Sequence, residues 1–305
     1  MENQEEQLKL KIQELLGEEI ADFSLKGKGY CNDVYYARTR KSAKYSIKKE
    51  RTDAGASKQE NDLSVEAALL RLLQNLDLSI PTPRVIFVSE NPKMFAYEYI
   101  EGEMLLGLWS LFSEEEKINT CRALGFFHAE LGKKVTKEML EPMNIQINMS
   151  SDLHPEVSAD FGRLILDPDV PEEFKILAKE AKVIFDRTQD KQFFQFLHND
   201  SHHENILIKE KKISGIIDFG AAEFGEVAKE FSRYIRDFPD YFQYIVSAYE
   251  EKSGNKLSYE RLVSFAFLND FVDVIANHRK GAVDRIKAES SLATYQRLLH
   301  RGVVN

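Results

Sequence analysis

Between Phe196 and Gly220 the chain reads FLHNDSHHENILIKEKKISGIIDFG, and the spacing of its polar residues against two apolar runs narrows the folds open to it. NILIKE at 205–210 and ISGIIDF at 213–219 have strand character and are too close together for anything but a hairpin. Such a hairpin sets Asn205, at the mouth of the first strand, beside Asp218, at the end of the second. A carboxylate and an amide oxygen side by side make a hard-oxygen environment suited to Mg²⁺ held partly by substrate phosphates. Asp200 lies five residues before Asn205 in a short loop with no lysine or arginine next to it, which leaves its carboxylate to accept or orient a hydroxyl proton. The combination asks for phosphoryl transfer. A second DFG, Asp160 to Gly162 in SADFGRL, lacks both the upstream HxDxxxxN spacing and a preceding strand, and is expected to be an ordinary loop.

The rest of the chain can house such a site. Its 305 residues leave room for two lobes, and 43% hydrophobic residues suffice for a substantial core, which excludes disorder. A formal net charge of -9 weighs against polyanionic partners, so neither nucleic acid nor an anionic membrane surface is expected. Cys31 and Cys121 are too few for a disulfide framework or a zinc cluster and read as free thiols in a reducing compartment. The opening MENQEEQLKLKIQELL is no export signal, and no run approaches the roughly 18 apolar residues of a membrane span. A soluble, cytoplasmic protein is expected.

Leu8, Ile12, Leu15 and Leu16 share one face of a helix at 4–16. Three strands follow, one approaching Gly27, VYYARTR at 34–40 and KYSIKKE at 44–50, with the turn GKGYCND between the first two. A helix over 64–76 carries Val65, Leu69, Leu72 and Leu76, PTPR at 81–84 leads into a strand near 84–89, and FAYEYIEG at 95–102 completes the sheet. Past Gly102 the periodicity predicts helices near 114–132, 172–187, 226–236, 239–252, 258–278 and 283–300, interrupted only by the two hairpin strands. The irregular stretch 140–171 reads as an insertion between helices. The fold class is therefore α+β, with a small antiparallel-sheet lobe at 1–101 and a mostly helical lobe at 102–305.

Gly27 and Gly29 of the turn can present backbone N–H groups to nucleotide phosphates without Cβ obstruction. Glu66, one turn before Leu70 and two before Leu73, points along a partly apolar helix face, where a carboxylate wants a cation. His128, spaced with Cys121, Leu124 and Leu131, reads as a core or capping histidine, and His202 and His203 are expected to diverge from one another.

The chain resembles the aminoglycoside phosphotransferase family, small-molecule kinases on the protein-kinase-like fold, from about residue 20 to 300 and most strongly at 196–220. HND followed by NIL and IIDFG is closest in spelling to the aminoglycoside 2''-phosphotransferases, and choline and ethanolamine kinases share the HND. The resemblance implies that Asp200 faces the acceptor hydroxyl, that Asn205 and Asp218 bind Mg²⁺ and that His198 props the loop. It implies that Lys48 contacts the α/β-phosphates with Glu66 as its partner, Lys49 being the alternative if the register slips by one. It also implies that backbone groups of Tyr99 to Glu101 take the base of ATP or GTP. The family's Asp–Pro is missing from AAEFGEVAKEFS, which instead has Gly225, Glu226 and, in place of a common aspartate, Glu230.

The expected partners are a nucleoside triphosphate and a small-molecule alcohol, a cationic aminoglycoside first. Asp270 and Asp273, three apart in FLNDFVDVIANH, are the candidates for pairing with its ammonium groups. Choline, ethanolamine, homoserine or a sugar are the alternatives, choline calling for an aromatic cage among Tyr234, Phe238, Tyr241, Phe242 and Tyr244. A catalytically inactive kinase-like scaffold is the competing reading of another class. A protein kinase is disfavoured because no recognisable APE follows the second DFG and the chain after Gly220 is expected to enter a helix almost directly.

Overall fold

Alternation along the third strand decides how the N-terminal sheet is covered. In the computed structural model, which describes residues 2–29, 31–51, 62–147, 150–168, 170–268 and 293–299, the chain begins with helix α1 (Glu2–Leu16). Strands β1 (Ile20–Lys28), β2 (Asn32–Thr39) and β3 (Lys44–Glu50) follow, then α2 (Leu63–Leu73), β4 (Val85–Glu90) and β5 (Lys93–Glu98). The five strands form one antiparallel sheet in the order β1-β2-β3-β5-β4. Successive side chains of a strand point to opposite faces. Ile47, Met94 and Ala96 accordingly pack with Leu8 and Ile12 of α1, while Phe95 and Tyr97 join Leu63, Ala67 and Leu70 of α2 on the other face.

The α2 helix starts at Asp62, whose carboxylate accepts the Ser64 N–H at 2.8 Å. Its buried residues Leu63, Glu66, Ala67, Leu70 and Leu73 recur at helical spacing, so Glu66 lies in the middle of the buried stripe.

Gly102 joins the sheet to the helical part at a φ of +154°, and a Cβ there would lie 2.6 Å from the Ser214 hydroxyl and 2.9 Å from the Ile208 carbonyl oxygen. A two-residue strand β6 (Glu103–Met104), α3 (Leu105–Leu108) and the long α4 (Glu114–Lys134) come next, α4 opening on a capping box between Ser113 and Glu116. They are followed by α5 (Lys137–Leu140), α6 (Ser150–Leu166), α7 (Glu172–Arg187), β7 (Phe194–Leu197), β8 (Ile206–Lys209), β9 (Lys212–Ile216), β10 (Glu223–Glu226), α8 (Val227–Asp237), α9 (Phe242–Ser253) and helices at 259–268 and 293–299. The β8–β9 hairpin forms as expected around Glu210 and Lys211, both at left-handed φ, and β6 adds to its edge.

Three expectations are corrected. The stretch 140–171 contains α6, and the second DFG lies within that helix rather than in a loop. Two further strands, β7 and β10, pair antiparallel, so the chain after Gly220 passes through β10 before entering α8. The β9 strand ends at Ile216, leaving Asp218 beyond it at a φ of 66°. The final helices were expected to be longer than the parts described, and the remainder of each lies outside the described residues.

His128 is fully buried, as its spacing suggested, with Nε2 2.5 Å from the Tyr234 hydroxyl. Burial pulls its pKa down to about 4, against the attraction of Glu230. A histidine depressed in the folded state contributes stability that is complete above its unfolded pKa and lost as pH falls toward the folded one. Between pH 7.5 and 5 this residue alone should cost about 2 kcal/mol of stability. Urea unfolding of the wild type and His128→Gln at both pH values checks this. The drop on acidification should be smaller by about that amount in the variant, and equal drops would assign it to other groups.

Candidate active site

The β2–β3 and β3–β5 registers place Lys48 opposite Val34 and Phe95, on the face toward α2. Its ammonium, on a residue only 6% exposed, donates to Glu66 Oε2 at 2.8 Å and to Asp218 Oδ1 at 2.7 Å. Burial works against the charge on Lys48, but the two carboxylates outweigh it and hold the ammonium well above its ordinary pKa. Burial pushes Glu66 up to about 7, with Lys48 pulling it down and Asp218 adding to the rise. For Asp218 the Lys48 charge wins over burial, keeping the carboxyl below its usual range with 45% of the side chain open to water. Lys49 lies on the opposite face, and its ammonium donates to the Glu50 carbonyl at 3.2 Å.

A second group of contacts holds the loop around Asp200. The His198 ring is fully buried against Phe219, accepts the Asp200 N–H on Nδ1 at 3.2 Å and meets the Ile217 carbonyl with Nε2 at 3.0 Å. One partner can only donate and the other only accept, so the ring is neutral with its proton on Nε2. Burial lowers its pKa, in keeping with that state. Asn205 donates through Nδ2 to the backbone oxygen of Asp200 at 2.8 Å and to its carboxylate at 3.0 Å, while the Ile217 N–H donates to the Asn205 carbonyl at 3.0 Å. The histidine and asparagine thus tie Asp200 to the segment that carries Asp218.

Beneath this loop lies α8. Glu230, fully buried, accepts the Asn199 N–H at 2.8 Å and the Ser201 hydroxyl. One turn on, Arg233 donates to the Asn199 carbonyl at 2.9 Å and stands 3.5 Å from Asp200 Oδ1. The expectation that no basic residue neighbours Asp200 holds along the sequence and fails in space. Burial would raise the Asp200 carboxyl, but the His202 imidazole and the Arg233 charge lower it below its usual range. Arg233 was missed; its signal was the three-residue spacing from Glu230, which puts both on one face of the helix.

At each of two expected nucleotide contacts, one backbone N–H is engaged within the fold. The Gly29 N–H is used within the turn, donating to the Asn32 carbonyl at 2.7 Å, and a Cβ on Gly29 would meet that oxygen at 2.9 Å. Gly29 therefore closes the loop, and Arg51 fastens it by donating to the Gly29 carbonyl at 3.0 Å. Gly27 sits in the ladder opposite Val34. In the hinge the Tyr99 N–H donates to the Lys44 carbonyl at 3.0 Å. The Glu101 side chain bridges Lys44 and Lys209, each at 2.6 Å, and those hydrogen bonds hold its pKa down at about 2. Asp270 and Asp273 lie outside the described residues.

Residues 23–254 match the model of a family described as "Phosphotransferase enzyme family". No curated protein matches the chain. Among solved structures, the macrolide 2'-phosphotransferase MphH from Brachybacterium faecium, as the apoenzyme, is 17% identical with a TM-score of 0.68, covering 96% of this chain and 98% of its own. The GDP complex of aminoglycoside 2'-phosphotransferase-IIIa is 14% identical with a TM-score of 0.72, at 96% and 99% coverage. The ADP-bound aminoglycoside phosphotransferase APH(2'')-Ib is 18% identical with a TM-score of 0.59, at 96% and 95% coverage. At these identities the likeness is one of fold, the bilobal, protein-kinase-like arrangement of sheet and helices.

The two lysines make a test of register. A charge-assisted hydrogen bond is worth about 1.5–3 kcal/mol, so Lys48→Ala should raise the dissociation constant of a nonhydrolysable nucleotide about 10- to 100-fold. Lys49→Ala should change it less than about twofold, since an exposed charge contributes little. Calorimetric titration of both variants decides it, and an equal or reversed order would remove Lys48 from the phosphate site.

Proposed function

The chain belongs to the phosphotransferase enzyme family, and from that premise we propose that it transfers the γ-phosphoryl group of ATP or GTP to a hydroxyl of a small molecule. The observation that carries this reading is the convergence of Asp200, Asn205, Asp218 and Lys48 through hydrogen bonds. The cleft is taken to divide the chain at Gly102 into a nucleotide lobe, 1–101, and an acceptor lobe, 102–305.

Asn205 and Asp218 fit a hard dication. The Asn205 amide nitrogen is turned to Asp200, freeing its oxygen, and Asp218 is ionised with an open side. When bound there, Mg²⁺ supplies charge neutralisation on the nucleotide phosphates. Lys48, already positioned by Glu66, takes the α/β-phosphates, and hinge backbone from Tyr99 to Glu101 takes the base. The acceptor hydroxyl donates to the Asp200 carboxylate. As its oxygen bonds to the γ-phosphorus, the bond to the β–γ bridging oxygen breaks, nucleoside diphosphate leaves, and the hydroxyl proton passes toward Asp200. Because the carboxyl is held below its usual pKa, its part before transfer is to orient the hydroxyl.

For the acceptor we favour an aminoglycoside, with Asp270 and Asp273 as the proposed seats of its ammonium groups. Four of the five aromatics that could have caged choline are engaged within the protein itself. Tyr234, Phe238 and Phe242 are buried, and Tyr241 stands edge-on to Trp109 with the Lys117 ammonium 5.4 and 5.8 Å from the two rings.

Asp200→Ala should keep nucleotide affinity within about threefold while turnover falls about 10²- to 10⁴-fold. Asp218→Ala should weaken both. Product masses from incubations with ATP or GTP against aminoglycosides, macrolides, choline, ethanolamine, homoserine and sugars identify the acceptor. Near wild-type turnover in Asp200→Ala would sink its assignment, and transfer to none of the panel by a nucleotide-binding protein would favour an inactive scaffold.

A further inference from the structure

His202 and His203 do not diverge as adjacent loop histidines were expected to. One ring nitrogen of each comes within 4.8 Å of the other and of a carboxylate oxygen of Asp237, the last residue of α8. The loop backbone sets this arrangement. The His202 N–H donates to the Asp200 carbonyl at 2.8 Å, the Asn205 N–H returns to the His202 carbonyl at 2.9 Å, and the Leu106 N–H takes the His203 carbonyl at 3.2 Å. Asp237 Oδ2 lies 2.6 Å from His203 Nδ1 and accepts the His203 N–H at 3.1 Å, while Oδ1 accepts from Arg236 at 2.9 Å. The Asp237 side chain is 2% exposed, against 18% for His202 and 23% for His203. An ion arriving from solvent would meet two imidazoles with an ionised carboxylate behind them.

We propose that His202, His203 and Asp237 form a binding site for a transition-metal dication of the zinc type, separate from the oxygen donors Asn205 and Asp218. Two nitrogens and one carboxylate oxygen suit a borderline ion such as Zn²⁺, and three protein ligands leave a fourth position open. Mg²⁺ prefers six oxygens and is not expected to compete. Ligand atoms on a tetrahedral ion with bonds of about 2.0–2.1 Å stand about 3.3 Å apart, so the more distant imidazole must swing inward, which its partial exposure permits.

The site would also act on its neighbour. His202 Nε2 is 3.6 Å from Asp200 Oδ2 and 3.3 Å from Asn205 Nδ2, so turning this ring onto a metal removes a contact to Asp200 and should slow transfer. Binding itself is independent of the phosphotransfer reading; only the inhibition rests on it.

The test is calorimetric titration of the full chain with Zn²⁺ and, separately, Mg²⁺. The wild type should take up Zn²⁺ with an affinity that falls at least about tenfold in His203→Ala and is retained in Asp218→Ala. Co²⁺ in place of Zn²⁺ should give a tetrahedral ligand-field band that weakens in the same histidine variant. Circular dichroism establishes that the variant is folded, and if it is not, Asp237→Asn is read in its place. Equal Zn²⁺ affinity in the wild type and the folded variant, or no uptake by the wild type, overturns the site. Uptake with undiminished turnover overturns the inhibition, and activity lost without loss of Zn²⁺ binding overturns the assignment of these ligands.

Discussion

One ammonium group connects three parts of the chain that are far apart in sequence. Lys48 stands on the inner face of the sheet, Glu66 comes from the buried stripe of α2, and Asp218 from the segment after β9. A charge removed from water costs several kcal/mol unless it is paired and hydrogen-bonded, and either carboxylate alone could neutralise this one. Burial holds Glu66 up at about 7, so near neutral pH it carries only part of a charge, and of the two carboxylates only Asp218 is open to water. The ionised member of the pair is therefore the one that faces solvent. Sheet, helix and hairpin must all be in place for the ammonium to make both of its hydrogen bonds.

The opposite wall is built from backbone hydrogen bonds anchored by α8. Glu230 accepts from the amide on one side of Asp200 and the hydroxyl on the other, and Arg233 donates to the carbonyl of Asn199. Asn199 itself sits at a φ of 61° and reaches the Ala221 carbonyl through Nδ2 at 3.1 Å. Left-handed backbone costs most residues about 1–2 kcal/mol, and asparagine tolerates it better than most. That accounts for an asparagine between His198 and Asp200 in physical terms: it relieves the turn and ties the loop to the far side of the DFG segment. Asp218 is held at a similar left-handed φ of 66°, and there the Lys48 hydrogen bond helps to offset the strain.

Much of this was legible because period and burial leave few choices. Alternation in KYSIKKE separated Lys48 from Lys49, and the apolar stripe of α2 turned Glu66 inward. The hairpin was legible because two short strands with two residues between them have one way to pair. β10 was hidden because it reads EFGE, its glutamates being buried against cations that come from elsewhere, Glu223 against Lys229 and Glu226 against Arg261. β7 is only four residues long, FQFL, too short for periodicity to tell it from helix, and α6 begins among serine, aspartate and proline residues that mimic a loop. The use of the Gly29 and Tyr99 amides within the fold could not be read from composition, since it depends on which carbonyl the tertiary structure brings opposite each N–H.

Arg233 shows why sequence neighbours are a poor guide to a carboxylate's chemistry. Read along the chain, Asp200 looks free to take a proton; read in space, it faces a guanidinium and an imidazole that stabilise its charge. A carboxylate stabilised in this way is a weak base, which would be a defect where the proton must leave before bond formation. In phosphoryl transfer through a loose transition state the attacking oxygen gains acidity only as its bond to phosphorus forms, so early deprotonation brings little advantage. What the reaction needs first is a fixed acceptor for the hydroxyl hydrogen bond, with its direction set before the substrate arrives. In the role proposed for Asp200, the hydrogen bonds from Asn205 and the charge of Arg233 would supply that direction, at the expense of basicity that this chemistry can spare.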